Sequence, residues 1–383
     1  MKPKVVVVGC GLVGALVAYE LSSRVEADIY VIDKQSPAQG STGAALGVLM
    51  GIISHKVKGR TWQLREASVR RYRTLITELE QQGYPVPFNQ QGIVSLCFDE
   101  GKLPKWESLR AKRHEQGWPL EIWSPEKVRS RCPHLTLNST DETGTSRDTL
   151  RSVKAAIYSP ADGQVHPAQL THALIAAAKQ RGVTFLFNTE VTQLKIEGLS
   201  CAAVKTTDNN GMQDFVADHI VISAGLGSAA LTELANEPLE LMPVLGQAME
   251  IQLPAVQGDP SFQPVINGDD IQFVPLDKGR YWLGATVEFP QDNIPLTAEK
   301  DGLQNLQKGA ARFCLAIANA KILNTWSGLR PRPVGQPAPV IKPLANLENV
   351  TLATGHYRNG VLLAPVTAQQ VCNTLQSKLM GAS

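Results

Sequence analysis

The stretch VVVVGCGLVG, residues 5–14, decides the fold of this chain. Four consecutive valines are typical of a buried parallel strand. The glycines that follow, Gly9, Gly11 and Gly14, have the GxGxxG spacing of a dinucleotide-binding turn. Gly9 permits the tight turn, Gly11 lets the backbone approach a pyrophosphate, and Gly14 lets the next helix pack closely against the strand. We therefore predict a strand–turn–helix unit that binds a dinucleotide.

The next segment completes this unit. ADIYVID, residues 27–33, predicts a second strand, and it ends in Asp33, roughly 20 residues beyond the glycines, where such sites carry an acid. A carboxylate here accepts hydrogen bonds from a ribose 2′-OH, which favours an unphosphorylated adenosine ribose over NADP. The helix start offers N–H groups and a positive dipole to the phosphates. The motif by itself leaves FAD, NAD and a glycine-rich turn without a ligand open.

A loop of small residues follows at QGSTGAALGVLMG, residues 39–51. The hydroxyl groups of Ser41 and Thr42, with exposed N–H groups, are placed to reach a second part of a long dinucleotide. Small residues also let a buried loop pack tightly, so the residues alone support both interpretations.

Composition restricts the class of protein. The chain has 383 residues, enough for two domains or for one large core with an inserted lobe, and its 43% hydrophobic content argues against disorder. A formal net charge of +2 gives no attraction towards nucleic acid. Six cysteines without a CxxC pair predict free thiols in a reducing compartment, and neither cysteine nor histidine spacing indicates a metal site. No apolar run reaches the ~20 residues of a membrane span, so we expect no transmembrane segment and a cytoplasmic location.

A basic cluster lies on a helix predicted over residues 61–83. We interpret it as a solvated helix face rather than a phosphate or membrane patch. The cluster consists of Arg60, Arg65, Arg70, Arg71 and Arg73.

The pattern of elements indicates two interleaved parts. A polar linker lies at residues 137–152, and helix and buried-strand patterns return after it. Residues 237–330 differ, because they alternate between polar and apolar residues, are interrupted by turn signals and contain one helix around 297–320. The fold class is therefore α/β: a Rossmann-like nucleotide domain, discontinuous in sequence, with an inserted α+β substrate domain built on an antiparallel sheet. We assign residues 1–83, 151–236 and 331–383 to the nucleotide domain, and 84–150 and 237–330 to the substrate domain.

Five motifs make the chain similar to a known family. VVVVGCGLVG, VHPAQL, VISAG, WSGLRP and ATGHYRNGVLLAP occur in the order found in the D-amino-acid oxidase superfamily of flavoproteins. The resemblance covers essentially the whole chain, and the last two motifs are most similar to the glycine oxidases of the thiamine pathway.

The resemblance implies an activity as well as a cofactor. It implies FAD and the oxidation of a small amino acid or secondary amine, of the glycine, sarcosine or D-amino-acid type. The product is an imine, then a 2-oxo acid and ammonia or amine, with oxygen or another electron acceptor. The expected partner is thus an amine with a carboxylate, and a homo-oligomer is compatible with the resemblance. The alternative is a non-catalytic FAD-binding sensor or assembly factor with a carboxylate ligand.

The resemblance also implies substrate contacts. Arg330 of GLRP and Arg358 of HYRNG match the two contacts to the substrate carboxylate, which an arginine fork binds bidentately. Gln272, the third predicted catalytic position, stands where the glycine oxidase pattern has a tyrosine, and Val48 and Val287 stand where it has methionines. These departures leave the identity of the amine open.

The C-terminal motif supplies the last part of the expected cofactor site. Apolar residues recur at helical spacing after Gly360, so the N–H groups and dipole of that helix start would stabilise the negative charge of a reduced flavin at its N1–C2=O edge. The predicted cofactor-binding residues are the glycines Gly9, Gly11, Gly14 and Gly225, together with those that the resemblance implies because they match the family's cofactor contacts: Leu12, Val13, Asp33, Lys34, Ser41, Thr42, Leu46, Gly47, Val48, Val191, His356, Tyr357, Arg358, Asn359, Gly360, Val361 and Leu362.

Overall fold

The structure is a computed structural model that describes residues 2–136, 152–209, 211–291 and 296–381. The polar linker predicted over residues 137–152 lies outside the described residues except for its last position. In chain order the strands are β1 (Lys4–Val8), β2 (Asp28–Ile32), β3 (Val48–Leu49), β4 (Phe88–Asn89), β5 (Ile93–Cys97), β6 (Glu121–Trp123), β7 (Ala155–Ser159), β8 (Gly163–Val165), β9 (Thr184–Leu186), β10 (Glu190–Glu197), β11 (Ser200–Asp208), β12 (Gly211–Val216), β13 (His219–Ile222), β14 (Leu241–Gln252), β15 (Val265–Gly268), β16 (Ile271–Pro275), β17 (Arg280–Gly284), β18 (Lys321–Pro333), β19 (Val340–Pro343) and β20 (Val350–Thr354).

The helices are distributed along the whole chain. They are α1 (Leu12–Arg24), α2 (Gly59–Gln81), α3 (Leu103–Glu115), α4 (Pro125–Arg131), α5 (Pro167–Gln180), α6 (Ser228–Leu234), α7 (Lys300–Ala311) and α8 (Gly360–Gly381), with 3₁₀ turns at Glu100–Lys102, Gly225–Gly227, Leu315–Asn319 and Tyr357–Asn359.

The predicted nucleotide-binding unit is confirmed. β1 lies inside a six-stranded sheet of order β19-β20-β13-β1-β2-β9 and pairs in parallel with both β2 and β13. Its four valines are at most 5% exposed, as a strand covered on both faces requires. The carboxyl ends of β1, β2 and β13 therefore meet at one edge of the sheet, where open α/β sheets bind ligands.

The glycine turn has the conformation that its sequence requires. Gly9 has φ +101°, a region that favours glycine, and an added Cβ at Gly14 would lie 1.9 Å from the carbonyl oxygen of Gly9. The predicted tight turn and the predicted close packing of α1 on the strand are both confirmed.

The second large sheet has eight strands in the order β18-β14-β17-β16-β15-β5-β7-β6. Strands β14 to β18 come from residues 241–333 and pair antiparallel where they are neighbours, which confirms the predicted antiparallel sheet, and α7 confirms the predicted helix. Residues paired directly across strands point to the same face. One such line of pairs, the register row, consists of Trp326, Ala248, Gly284, Gln272, Asn267, Ser95 and Ile157.

The assignment of the chain to two domains stays a proposal, and the sheets refine its boundaries. β7 pairs with β5 and β6, so residues 155–159 hydrogen-bond into the eight-stranded sheet although we placed them in the nucleotide domain. β18 likewise continues to Pro333, three residues beyond the predicted boundary at 330.

The interpretation of the basic cluster as a solvated face is wrong for two of its members. The Arg71 side chain is only 11% exposed, and its guanidinium lies 2.7 Å from Glu20 and 2.6 Å from Glu78. Glu20 on α1 is 2% exposed, and a carboxylate so deeply buried requires a cationic partner. Arg71 therefore joins α2 to α1, and Arg65, the second inward member, belongs to the site described below.

Three further properties of the described residues bear on the predictions. All six cysteines are buried free thiols. No group of three or more histidine, cysteine, aspartate or glutamate side chains within the described ranges is arranged to hold a metal ion. In the same ranges, no helix is long and apolar enough to cross a membrane.

Candidate functional site

A cleft of about 1380 Å³ is lined by residues of both large sheets. It exceeds the roughly 300–1,000 Å³ of most small-molecule sites, so it can hold a dinucleotide together with a smaller ligand. Every predicted site residue except Gly14 and Leu362 lines it. Gly14 faces the Gly9 carbonyl behind the wall, and Leu362 is 2% exposed within the apolar core. Contact of the others with a cofactor stays a prediction.

The start of α1, where we predict the phosphates, lines the cleft. The Leu12 N–H donates to Thr42 Oγ1 at 3.0 Å, so the hydroxyl of Thr42 occupies one of the helix-start donors. A hydroxyl that accepts one hydrogen bond can still donate its own proton. An added Cβ at Gly11 would lie 3.1 Å from the same oxygen. The Thr42 hydroxyl therefore offers its own proton to a phosphate in place of the Leu12 N–H, which it already accepts.

Asp33, the predicted ribose contact, lies beside the glycine turn at the carboxyl end of β2. Its Oδ2 accepts the Cys10 N–H at 2.6 Å and its Oδ1 accepts the Gln35 N–H at 2.8 Å. Two backbone donors hold the carboxylate in place, and each oxygen keeps capacity to accept a ribose hydroxyl. Burial, and secondly the charge of Asp33, raise the pKa of the Cys10 thiol. Cys10 is therefore a neutral, unreactive thiol beneath the site.

The C-terminal motif forms the predicted flavin cradle, a name that we use for residues 356–362. Tyr357 has φ +52°, the Asn359 N–H donates to the His356 carbonyl at 3.1 Å, and α8 begins at Gly360. The first turn of such a helix leaves N–H groups without an intrahelical acceptor. The His356 ring is 4% exposed and pairs with Thr367 Oγ1 at 2.8 Å. Burial, and secondly the charge of Arg60, lower the pKa of His356 to about 4, so the ring is neutral.

Arg65 is a residue of this site that the sequence reasoning missed. Its Nη1 donates to the Met50 carbonyl at 2.6 Å and its Nη2 to Asn359 Oδ1 at 3.0 Å, while the buried Nε has no partner among the described residues. Burial lowers the pKa of Arg65, and the charge of Asp162 opposes this. Arg65 thus connects α2 to the flavin cradle. Its position three residues after the buried Trp62 was the available signal.

Arg330 and Arg358, the predicted contacts of the substrate carboxylate, both line the cleft. Nη1 of Arg330 donates to the Leu245 carbonyl at 3.0 Å, and its guanidinium lies over Gly246, where an added Cβ would be 2.2 Å from Nη2. Burial, and secondly the charge of Arg358, lower the pKa of Arg330. Arg358 is more exposed and lies 3.8 Å from Asp270 Oδ1. Two guanidinium groups that face one space favour an anion between them.

Gln272 ends a chain of polar side chains on the register row. Its Nε2 donates to Asn267 Oδ1 at 2.9 Å, and Asn267 Nδ2 donates to Ser95 Oγ at 2.9 Å. The Oε1 of Gln272 is buried and has no hydrogen-bond partner in the described part of the chain. Val48 lines the cleft as predicted, whereas Val287 does not.

The donors of the cleft fit FAD. A glycine turn with the Thr42 hydroxyl suits a pyrophosphate, Asp33 suits an unphosphorylated ribose, and the start of α8 in the cradle suits the electron-rich edge of a flavin. NAD has no group comparable to the electron-rich edge of a flavin that the N–H groups of the cradle could bind.

Comparison with known proteins agrees with this fit. The chain is 28% identical to the bifunctional protein ThiO/ThiG of Synechocystis sp. over 97% of its length, although it spans only about half, 51%, of that relative. It is 27% identical to the glycine oxidase of Geobacillus kaustophilus, with 98% of this chain and 93% of the relative covered. The crystal structure of glycine oxidase from Geobacillus kaustophilus superposes with a TM-score of 0.82 and 25% identity, covering 98% of this chain and 95% of that one.

The family itself is determined by a match over nearly the whole chain. Residues 4–374 match the FAD dependent oxidoreductase (DAO) family. The resemblance drawn from the five motifs is confirmed, and the cofactor is FAD. The chain belongs to the DAO family of FAD dependent oxidoreductases.

Proposed function

We propose that the protein oxidises an amine that carries a carboxylate, an amino acid or N-substituted amino acid, at its CH–NH bond. The observation that carries this proposal is the placement of Arg330 and Arg358 at one end of the FAD cleft. The names of the relatives, glycine oxidases among them, support the same class of substrate. The products are an imine, which water converts to a 2-oxo acid and ammonia or an amine.

The cofactor supplies the redox chemistry, and the chain supplies orientation. When bound, FAD would supply the two-electron acceptor for this oxidation, in which the Cα–H bond is lost as a hydride and the nitrogen loses a proton to water. Arg330 holds the substrate carboxylate with N–H groups other than the one donated to Leu245, and this fixes the direction of the Cα–H bond. Arg358 adds a second positive charge at the same end of the cleft.

The flavin cradle provides electrostatic stabilisation. The N–H groups at the start of α8 are fixed before reaction, because Asn359 is held both by the His356 carbonyl and by Arg65. Donors that are already in place lose little free energy to reorganisation when negative charge develops.

We also propose a cytoplasmic location, and oxygen or another electron acceptor as the oxidant of the reduced cofactor. Six buried free thiols support a reducing compartment. Oxygen consumption compared with dye reduction separates an oxidase from a dehydrogenase.

Anaerobic mixing tests the proposed function. The purified holoprotein is mixed with small amino acids and N-methylated amino acids, and the flavin absorbance near its visible maximum is followed. Bleaching by at least one carboxylate-bearing amine is the expected result. No bleaching by any of them would leave an FAD-binding protein with a carboxylate ligand and overturn the proposal.

A further inference from the structure

The cleft continues along the eight-stranded sheet beyond the pair of arginines. Its lining includes Gln272 on β16, Asn267 on β15 and Ser95 on β5, which are successive members of the register row. Their side chains point to the same face of the sheet because they are paired directly across neighbouring strands. The row therefore leads away from Arg330 and Arg358, which we call the clamp, within one continuous cleft.

Apolar side chains cover the far part of this space. Trp106, Leu109 and Ile157 line the cleft and are 8%, 3% and 2% exposed. We call these three residues, together with Asn267 and Ser95, the distal arm. Its walls combine an apolar surface with one hydrogen-bonding amide and one hydroxyl, a composition typical of a pocket that recognises a substituent of a small molecule.

The distances suit an extended ligand. The Arg330 guanidinium lies over Gly246 on β14, and β16 and β15 are two and three strands away. At about 4.8 Å per strand, this places Gln272 roughly 10 Å and Asn267 roughly 14 Å from β14, measured between backbones. Glycine bound at the clamp would leave the distal arm empty, whereas a side chain of several atoms extends into it.

Gln272 lies on β16, between the strand under the clamp and the strand that carries Asn267. Its Nε2 donates to Asn267, and its buried Oε1 has no donor among the residues that the structure describes. A buried carbonyl without a donor is unfavourable by itself, so a ligand N–H is the group that this position lacks. An amine nitrogen next to the clamped carboxylate carries such a hydrogen.

We propose that the distal arm is the substituent pocket of this enzyme. The substrate carboxylate binds at Arg330, its amine N–H donates to Gln272 Oε1, and a substituent with an apolar stem and an uncharged hydrogen-bonding end enters the distal arm. This inference rests on the proposed function and narrows it: the preferred substrate is a longer amino acid or N-substituted amino acid, and glycine is a poor one.

The test compares substrates of increasing length on the holoenzyme. Glycine and both enantiomers of alanine, norvaline and glutamine are assayed by the rate of flavin reduction. Each buried carbon contributes about a fourfold gain, so one enantiomer of norvaline should exceed glycine in kcat/KM by about 50-fold. Glutamine, which adds the hydrogen-bonding end, should be at least as good as norvaline.

Two variants on β5 distinguish a change in the distal arm from a general disturbance of the sheet. Ser95→Leu fills the arm and should bring kcat/KM for norvaline and glutamine down to that for glycine. The ratio of the longer substrates to glycine is the readout, because Ser95 Oγ also accepts the Asn267 Nδ2–H and its loss affects Gln272 for every substrate. Val94→Ile enlarges the neighbouring residue, which is 0% exposed on the opposite face of β5, and should leave the order of substrates intact. Glycine equal to norvaline and glutamine in the native enzyme, or an equal loss for all substrates in Ser95→Leu, would overturn the inference.

A binding measurement distinguishes failure of the arm from failure of the proposed function. Acetate and pentanoate cannot be oxidised as amines, and their binding is read from the shift of the flavin spectrum. Pentanoate should bind more tightly than acetate, and Ser95→Leu should abolish the difference. If pentanoate binds more tightly than acetate but no amine reduces the flavin, the distal arm remains a ligand site and the proposed function is overturned. Equal binding of the two acids overturns the arm.

Discussion

Replacing Arg330 by alanine tests the clamp on which the proposed function rests. The native guanidinium uses Nη1 for the Leu245 carbonyl at 3.0 Å and has further N–H groups for a carboxylate. The Leu245 carbonyl also accepts the Glu288 N–H at 3.0 Å, so the substitution leaves no orphaned carbonyl on β14. The variant should therefore fold and retain FAD.

The magnitude follows from the bonds that are lost. A hydrogen bond to a charged group contributes about 1.5–3 kcal/mol, which corresponds to about 10–150-fold in affinity. A bidentate contact places Arg330→Ala at the upper end of this range, and the half-buried position limits screening by water. We expect KM for every carboxylate substrate to rise about 100-fold.

The assay is steady-state oxidation with the carboxylate amine that the native enzyme uses best. Arg330→Lys is the matched control, because it keeps the positive charge but removes the planar guanidinium. Its KM should lie between that of the native enzyme and that of Arg330→Ala. Gly246→Ala offers an independent perturbation, since its new Cβ would displace the guanidinium without removing it. A native KM in Arg330→Ala, with normal flavin content, would refute the assignment of the clamp.

Three other predictions concern the surroundings of the clamp and the cradle. Asp270→Asn removes the carboxylate 3.8 Å from Arg358 and should lower KM for carboxylate substrates by up to about fivefold, because exposed pairs contribute about 0.2–1 kcal/mol; an increase in KM would contradict this. Arg65→Met should weaken FAD binding by about tenfold or more in equilibrium titration of the apoprotein, through loss of the bonds to Met50 and Asn359, whereas the exposed Arg73→Met on the same helix should not. Burial lowers the pKa of His356 from 6.5 to about 4, so as the pH falls the histidine is protonated in the unfolded chain before it is protonated in the folded one. The contribution of His356 to the free energy of unfolding is therefore fully present above about pH 6.5 and is lost as the pH falls towards 4. His356→Gln should therefore reduce the loss of unfolding free energy between pH 7.5 and pH 5 by about 2 kcal/mol in urea titrations, and an unchanged loss would assign the acid sensitivity elsewhere.

Local sequence was sufficient for the nucleotide-binding unit. The valines of β1, the glycine turn and Asp33 lie within 29 residues, from Val5 to Asp33, and their roles depend on backbone geometry within that unit. Gly9 needs its positive φ whatever surrounds it, and Gly14 needs to lack a Cβ because the helix returns over its own strand. The C-terminal motif was likewise recognisable, because its helix start and its arginine are neighbours in sequence.

Only the tertiary structure determined which distant side chains meet at the cleft. Arg65 appeared to be one of several arginines on a polar helix, and its contact with Asn359 joins residues 294 positions apart. Asn267 and Ser95 are separated by 172 residues, and their hydrogen bond depends on the register of two strands that no local pattern specifies. Periodicity identifies which residues face a core, but the pairing of non-local strands decides which polar groups lie opposite each other. For this reason the sequence determined the family and its cofactor, while the shape of the cleft was decided by the packing of the eight-stranded sheet.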